Sequence, residues 1–255
     1  MIPNVDDGAT SEHDALAMLR ILEEEGVTHV VATPHVPAQN GRALAPGDIL
    51  RRIVDLNSAA ERHDINVTVL PGSEIRFESR VLDLLARDEV LPINGTSYIL
   101  LELPLYGDWP PYVRSTIFDL QIAGFLPILA HVERYPGVQK DPDVLQDLIS
   151  TGVLMQINAD SVVGAEHDPS ARTARHLIQS RMAHIVATDA HSPEKRAPRI
   201  RSAMDRVAEL SNREYADWIA SVSSDVAFGR TVYLPEPVPK KRKRWWSRVR
   251  PASTG

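Results

Sequence analysis

A chain of 255 residues with 43% hydrophobic and 24% charged side chains is long enough to bury one large core. It carries no cysteine, which excludes a disulfide framework, thiolate metal ligation and any cysteine nucleophile. No apolar run reaches the length of a membrane span and the first residues lack a basic-then-apolar leader pattern, so a cytoplasmic location is expected.

From the N-terminus, Val5-Asp6-Asp7-Gly8 precedes a helical pattern over 11–25, with Ser11 ahead of acidic residues as its start. An apolar, β-branched run at 28–32 reads as a strand and ends in Thr33-Pro34-His35. A helix over 46–63 leads to a strand at 67–70, which ends in Pro71-Gly72-Ser73-Glu74. The run 98–101 continues into Glu102, and a helix over 112–124 follows. The run 126–130 ends in His131-Val132-Glu133-Arg134. Asp141-Pro142 opens a helix over 141–151, and Asp168-Pro169 opens one over 170–181. Between them lies the run 153–157, and after them the run 185–187 ends in Thr188-Asp189-Ala190-His191. Two last helices, over 198–211 and 214–227, are expected to pack outside the rest.

Strands alternating with helices predict a parallel sheet, and this many strands favour a barrel over an open sheet. No glycine-rich phosphate loop follows any strand, which argues against a nucleotide-binding fold. In a parallel barrel all strand C-termini open on one face. His35, Glu74, Glu102, His131, Asp189 and His191 should therefore meet on one rim. One such residue alone would be read as a cap or a turn residue. Five of six strands ending in a ligand-type residue calls for a site. The nitrogen-and-oxygen set suits manganese, iron or zinc, and shared carboxylates allow paired ions, a device suited to phosphoester hydrolysis. His13, His29, His63, His167, His176 and His184 fall on helices, inside strands or in loops, and read as structural or surface residues.

The ordered strings Val5-Asp6-Asp7-Gly8, Ala32-Thr33-Pro34-His35, Leu70-Pro71-Gly72-Ser73-Glu74, Leu100-Leu101-Glu102, Ala130-His131-Val132-Glu133-Arg134-Tyr135 and Ala187-Thr188-Asp189-Ala190-His191 resemble the bacterial protein-tyrosine phosphatases of the PHP superfamily. These belong to capsule and exopolysaccharide clusters, and the resemblance spans about residues 1–205. It implies a distorted (β/α)7 barrel of TIM-like type, with two or three divalent ions, manganese by expectation. His35, Glu74, Glu102, His131, Asp189 and His191 would be the metal ligands, with Glu74 bridging. It makes Arg134 a phosphate-binding arginine and Arg196 a second candidate, and their guanidinium forks match phosphoryl oxygens. Asp6 is a catalytic candidate facing the site, whereas Asp7 is open to a turn or capping reading. The implied substrate is phosphotyrosine on protein, in particular on a tyrosine kinase of polysaccharide export. A small-molecule phosphatase of the histidinol-phosphate type shares the same barrel and is the alternative enzyme.

Departures from the pattern are few. Val132 stands where the family usually has Pro, and Val36 where it often has His; neither change removes a ligand. The N-terminal strand ending in His-x-His is absent ahead of Met1. The expectation is that a first strand lies upstream, and that the chain as written binds metal through its other ligands with weak or no turnover. The competing account is a non-catalytic barrel that has lost a metal position.

The chain divides into a barrel at 1–235 and, from 236 on, a Pro-rich linker with a basic tail. The net charge of −6 hides this division: residues 240–250 hold seven basic residues and no acid, and the remaining 21 basic and 34 acidic residues leave the body at −13. The basic run reads first as a solvated, disordered terminus; Trp245 and Trp246 inside it also suit an anionic membrane surface, which would place the protein at the inner face of the membrane. An acidic body argues against nucleic acid as a partner.

Overall fold

Every residue of the strands at 98–102 and 154–158 is buried, on both faces, which is why these strands read as short apolar runs rather than as alternating ones. A computed structural model of the chain describes residues 1–37 and 45–235. In chain order the elements are α1 (Glu12–Glu24), β1 (His29–Ala32), β2 (His35–Val36), α2 (Pro46–Arg62), β3 (Thr68–Pro71), β4 (Glu74–Arg76), α3 (Val81–Ala86), β5 (Tyr98–Glu102), α4 (Val113–Ile122) and β6 (Leu126–Leu129). There follow α5 (Pro136–Lys140), α6 (Gln146–Ser150), β7 (Leu154–Asn158), α7 (Ala159–Val163), α8 (Pro169–Gln179), β8 (Ile185–Ala187), α9 (Arg201–Leu210) and α10 (Arg213–Ala227). The helix starts carry their side-chain caps: Ser11 accepts from the Asp14 N–H, and Asp168, ahead of Pro169, accepts from the Ser170 N–H.

All pairings are parallel. β1 pairs with β3, and β2–β4–β5–β6–β7–β8 run in order. β1 and β2 are one strand interrupted at Thr33-Pro34, and β3 and β4 are one strand interrupted at Gly72-Ser73. The Glu74 N–H donates to the Pro34 carbonyl at 3.0 Å and carries the pairing across both breaks. Gly72 is required there: a Cβ would lie 3.0 Å from Val31 Cγ1 and 3.2 Å from Thr33 Cγ2. The result is a curled parallel sheet resembling a distorted barrel, as the sequence predicts.

The two faces belong to different cores. Ile99, Leu101, Leu129, Met155, Ile157 and Val186 point outward into the layer of helices. Leu100, Ile128, Leu154 and Ile185 point inward and meet Val222 and Val226 of α10. This corrects the expectation for the last helix. α9 does pack outside, through Ala203 and Val207. α10 instead reaches inward and closes the barrel end at which the strands begin. There the Asn94 amide donates to the Ala227 carbonyl and the Tyr98 hydroxyl donates to the Arg230 carbonyl, each at 2.9 Å. The basic tail lies outside the described residues.

Among the described residues β1 and β8 each have one strand neighbour. A slot of about 590 Å³ lies between these two edges, lined by Val30, Leu100, Ile128, Ile185 and Val226 in its depth and reaching His35, Glu74, Asp189 and His191 at the strand ends.

Ile219 of α10 is fully buried and Ile122 of α4 is 74% exposed. Ile219→Ala is expected to cost about 2–5 kcal/mol of unfolding free energy in a urea titration. Ile122→Ala should stay within about 0.5 kcal/mol of the parent. Equal costs would contradict the packing of α10.

Candidate metal centre

The inward period of two carries the site. His35, Glu74 and Leu100 lie in one register line across β2, β4 and β5, and Leu100 points inward, so the three share the inner face. Glu102 stands two residues beyond Leu100 on the same face. His131 and Asp189 arrive differently. Each follows a strand end and adopts positive φ, 32° and 48°. Such a backbone costs about 1–3 kcal/mol in a non-glycine residue and is tolerated where the surroundings enforce it. At His131 the turn brings in a side chain that extended backbone would have sent outward, and the residue is only 2% exposed.

The groups meet closely. His131 Nε2 lies 3.0 Å from Glu74 Oε1 and 3.4 Å from Glu102 Oε1. His35 Nε2 is 3.9 Å from Glu74 Oε2, and ligand atoms of His35, Glu74 and Glu102 all lie within 4.8 Å of one another. His191 Nε2 is 3.1 Å from Asp7 Oδ2. Thus all six predicted ligands fall on one rim. Burial opposes the charge on His35, but the Asp6 hydrogen bond and the Glu74 charge outweigh it and push its pKa up to about 9. His131 is also pushed up to about 9, burial again being outweighed by hydrogen bonds to Glu102 and Glu74. The partner effect holds Glu102 below its usual range: burial would raise it, and the His131 contact prevails.

The remaining predicted residues divide. Arg134 Nη1 lies 3.7 Å from Asp189 Oδ2, and Arg196 contacts the same oxygen and stands 3.1 Å from His191 Nε2. Both guanidiniums are about one-third exposed, so they border the ligand cluster and still face solvent. Asp6 stands behind His35, accepting from its backbone N–H at 2.9 Å with Oδ2 also 2.5 Å from Nδ1. A carboxylate there fixes the ring and presents Nε2 to the site. Asp7 is the more exposed of the pair and faces both His191 and His35. The sequence reading left Asp7 as a turn or cap residue; its position beside Asp6 was the available signal. Asn158 and Glu133 were also missed. Asn158 ends the one strand that lacked a ligand-type residue, and its amide donates to Asp189 Oδ2 at 2.7 Å.

Five carboxylates (Asp6, Asp7, Glu74, Glu102, Asp189) and three imidazoles thus crowd one rim, with Arg134 and Arg196 as the permanent cations among them. Such an excess of oxygen and nitrogen donors in a half-buried space fits divalent ions. Displacing the histidine protons would release more ligand capacity.

A curled parallel barrel with this ligand rim defines a metal-dependent hydrolase of the PHP type. The model of the family described as "Capsular polysaccharide synthesis, CpsB/CapC" matches residues 1–225, and the chain belongs to that family. It is 30% identical over 245 residues to the tyrosine-protein phosphatase YwqE of Bacillus subtilis (strain 168), covering 96% of this chain and 95% of the relative. It is 25% identical to the tyrosine-protein phosphatase CpsB of Streptococcus pneumoniae, with 81% and 86% covered. Among solved structures, one from the crystallographic work on YwqE and CpsB, unique metal-dependent tyrosine phosphatases, has a TM-score of 0.87 at 29% identity. It covers 94% of this chain and 97% of its own.

The raised imidazoles make the site's response to pH predictable. In the metal-free chain His35 and His131 keep their protons up to about 9, against 6.5 for an ordinary histidine. Their contribution to stability is therefore complete below pH 6.5 and is lost as pH rises through about 9. The calorimetric melting temperature in EDTA should fall across that window. The stabilisation by an added divalent ion should grow across it, because ion and protons compete. An ion-induced stabilisation indifferent to pH would show that these imidazoles are not ligands.

Proposed function

We propose that this protein is a metal-dependent phosphatase that hydrolyses phosphotyrosine on protein, with manganese as the ion in two or three positions, in the control of capsular or exopolysaccharide synthesis. The observation that carries this is the meeting of His35, Glu74, Glu102 and His131 with Arg134 and Arg196 on one open rim. His35, Glu74, Glu102 and His131 would hold divalent ions there, and the ions would supply Lewis-acid charge for attack by water on phosphorus. Arg134 and Arg196 receive the phosphoryl oxygens and offset the charge that builds on them in the transition state. Asp6 keeps the His35 ring oriented. Asp7, the exposed carboxylate of the rim, faces both His35 and His191. No phosphoenzyme on cysteine is available, because the chain has none.

In this reading the barrel has seven strands. The slot between β1 and β8 is apolar in its depth, polar where it reaches the rim, and bordered by two strand edges, which supports a further parallel strand there. A strand bearing His-x-His would add two imidazoles to the same rim. The phosphotyrosine-bearing partner is read as a tyrosine kinase of polysaccharide export.

The test is turnover of a phosphotyrosine peptide with added manganese, by the chain as given and by one extended with a strand ending in His-x-His. The extended chain should be the faster, and Arg134→Ala in it should lower kcat/KM by about 10²–10³-fold. Preference for histidinol phosphate over the peptide would move the assignment to small-molecule phosphatases. Inertness on both would end the phosphatase reading.

A membrane role for the basic run is proposed from its composition, seven cations with Trp245 and Trp246 and no acid. Full-length protein should pellet with anionic liposomes and a 1–239 chain should not; equal pelleting rules the role out.

A further inference from the structure

We propose that Asn158 is a positioning residue that sets the orientation of the Asp189 carboxylate, and that the buried Glu133 anchors Asn158 from behind. The inference rests on reading Asp189 as a metal ligand.

Asn158 is the last residue of β7 and lies in register with Ala187, two residues before Asp189. Its amide donates to Asp189 Oδ2 at 2.7 Å. Arg196 and Arg134 approach that same oxygen. Among the described residues no hydrogen bond reaches Asp189 Oδ1. One carboxylate oxygen is thus fully engaged by the protein, and the other is turned toward the space that His191 shares. A carboxylate held by the arginines alone would follow two partly exposed side chains. The amide on the rigid end of β7 supplies a fixed reference.

Glu133 makes that reference rigid. It is fully buried in the turn that follows His131. Its Oε1 accepts from the Asn158 backbone N–H at 3.1 Å and from the Ser161 hydroxyl at 2.8 Å. Gln139 donates to the Glu133 carbonyl at 3.0 Å. The chain of contacts therefore links the turn carrying His131 to the end of β7, and through Asn158 to the loop carrying Asp189. Burying a carboxyl is costly, and burial raises its pKa. Partners behind metal ligands govern affinity by orienting them, and this pair ties two segments of the metal rim together.

The experiment is manganese binding by titration calorimetry on the full chain, with the metal-free melting temperature of each variant as the control for folding. Asp189→Asn tests the ligand reading: unchanged affinity there removes the premise and is distinct from failure of the relay. Asn158→Ala should weaken manganese binding by about 10–100-fold while the variant still melts cooperatively. Glu133→Gln keeps the Oε1 acceptor and should bind within about threefold of the parent, whereas Glu133→Ala should lose affinity as Asn158→Ala does. If Asn158→Ala does not fold, Ser161→Ala, which removes one of the two donors to Glu133 Oε1, should show a loss of about threefold or more. Parental affinity in a folded Asn158→Ala, or in Ser161→Ala where that variant must be used, overturns the proposal.

Discussion

Keeping like charges together on one rim is the constraint on which the rest of this structure depends. Asp6, Asp7, Glu74, Glu102 and Asp189 stand within a few side chains of one another, and in low dielectric their mutual repulsion is expensive. The chain answers with cations that differ in kind. Arg134 and Arg196 are permanent and sit at the edge. The imidazolium forms of His35 and His131 sit in the interior and can be exchanged for something more strongly charged. The protonated imidazoles thus offset part of the rim's negative charge in the metal-free chain. Left-handed conformations at His131, Asp189 and Arg196 place strain where the chemistry is, consistent with a rim held by its surroundings.

The barrel supplies those surroundings because its two faces have separate duties. The outward face binds the sheet to the helical layer through Ile99, Leu101, Leu129 and Met155, and the bulk of burial lies there. That frees the inward face to change character along each strand. On β5 it passes from Tyr98 at the closed end through Leu100 to Glu102 at the open one. An apolar floor and a polar rim within five residues is what allows metal ligands to be buried on one side and open on the other.

Much of this was legible in the sequence. The six apolar runs fall on the strands within a residue or two, and the ligand-type residues after them all reach the rim. The reason is physical: in a parallel sheet chain direction alone determines which end is functional. What stayed hidden depends on orientation rather than order. Asp6 and Asp7 are neighbours in sequence, and the sequence does not say which one backs His35 and which faces His191. β2 and β4 were not legible as strands, because Pro34 and Gly72 read as strand ends and the pieces beyond them, two and three residues long, are too short to carry a pattern. The depth of α10 was hidden too, because an amphipathic helix shows the same pattern whether it covers a barrel wall or its end.

The place of α10 sets the order in which the barrel can be made. The inner core of Leu100, Ile128, Leu154 and Ile185 is completed by Val222 and Val226, from the last described helix. During synthesis, the strands will have left the ribosome while one end of the barrel is still open to water. Docking of α10 is thus the step that seals the inner core, and nascent chains halted before residue 226 should need protection from aggregation.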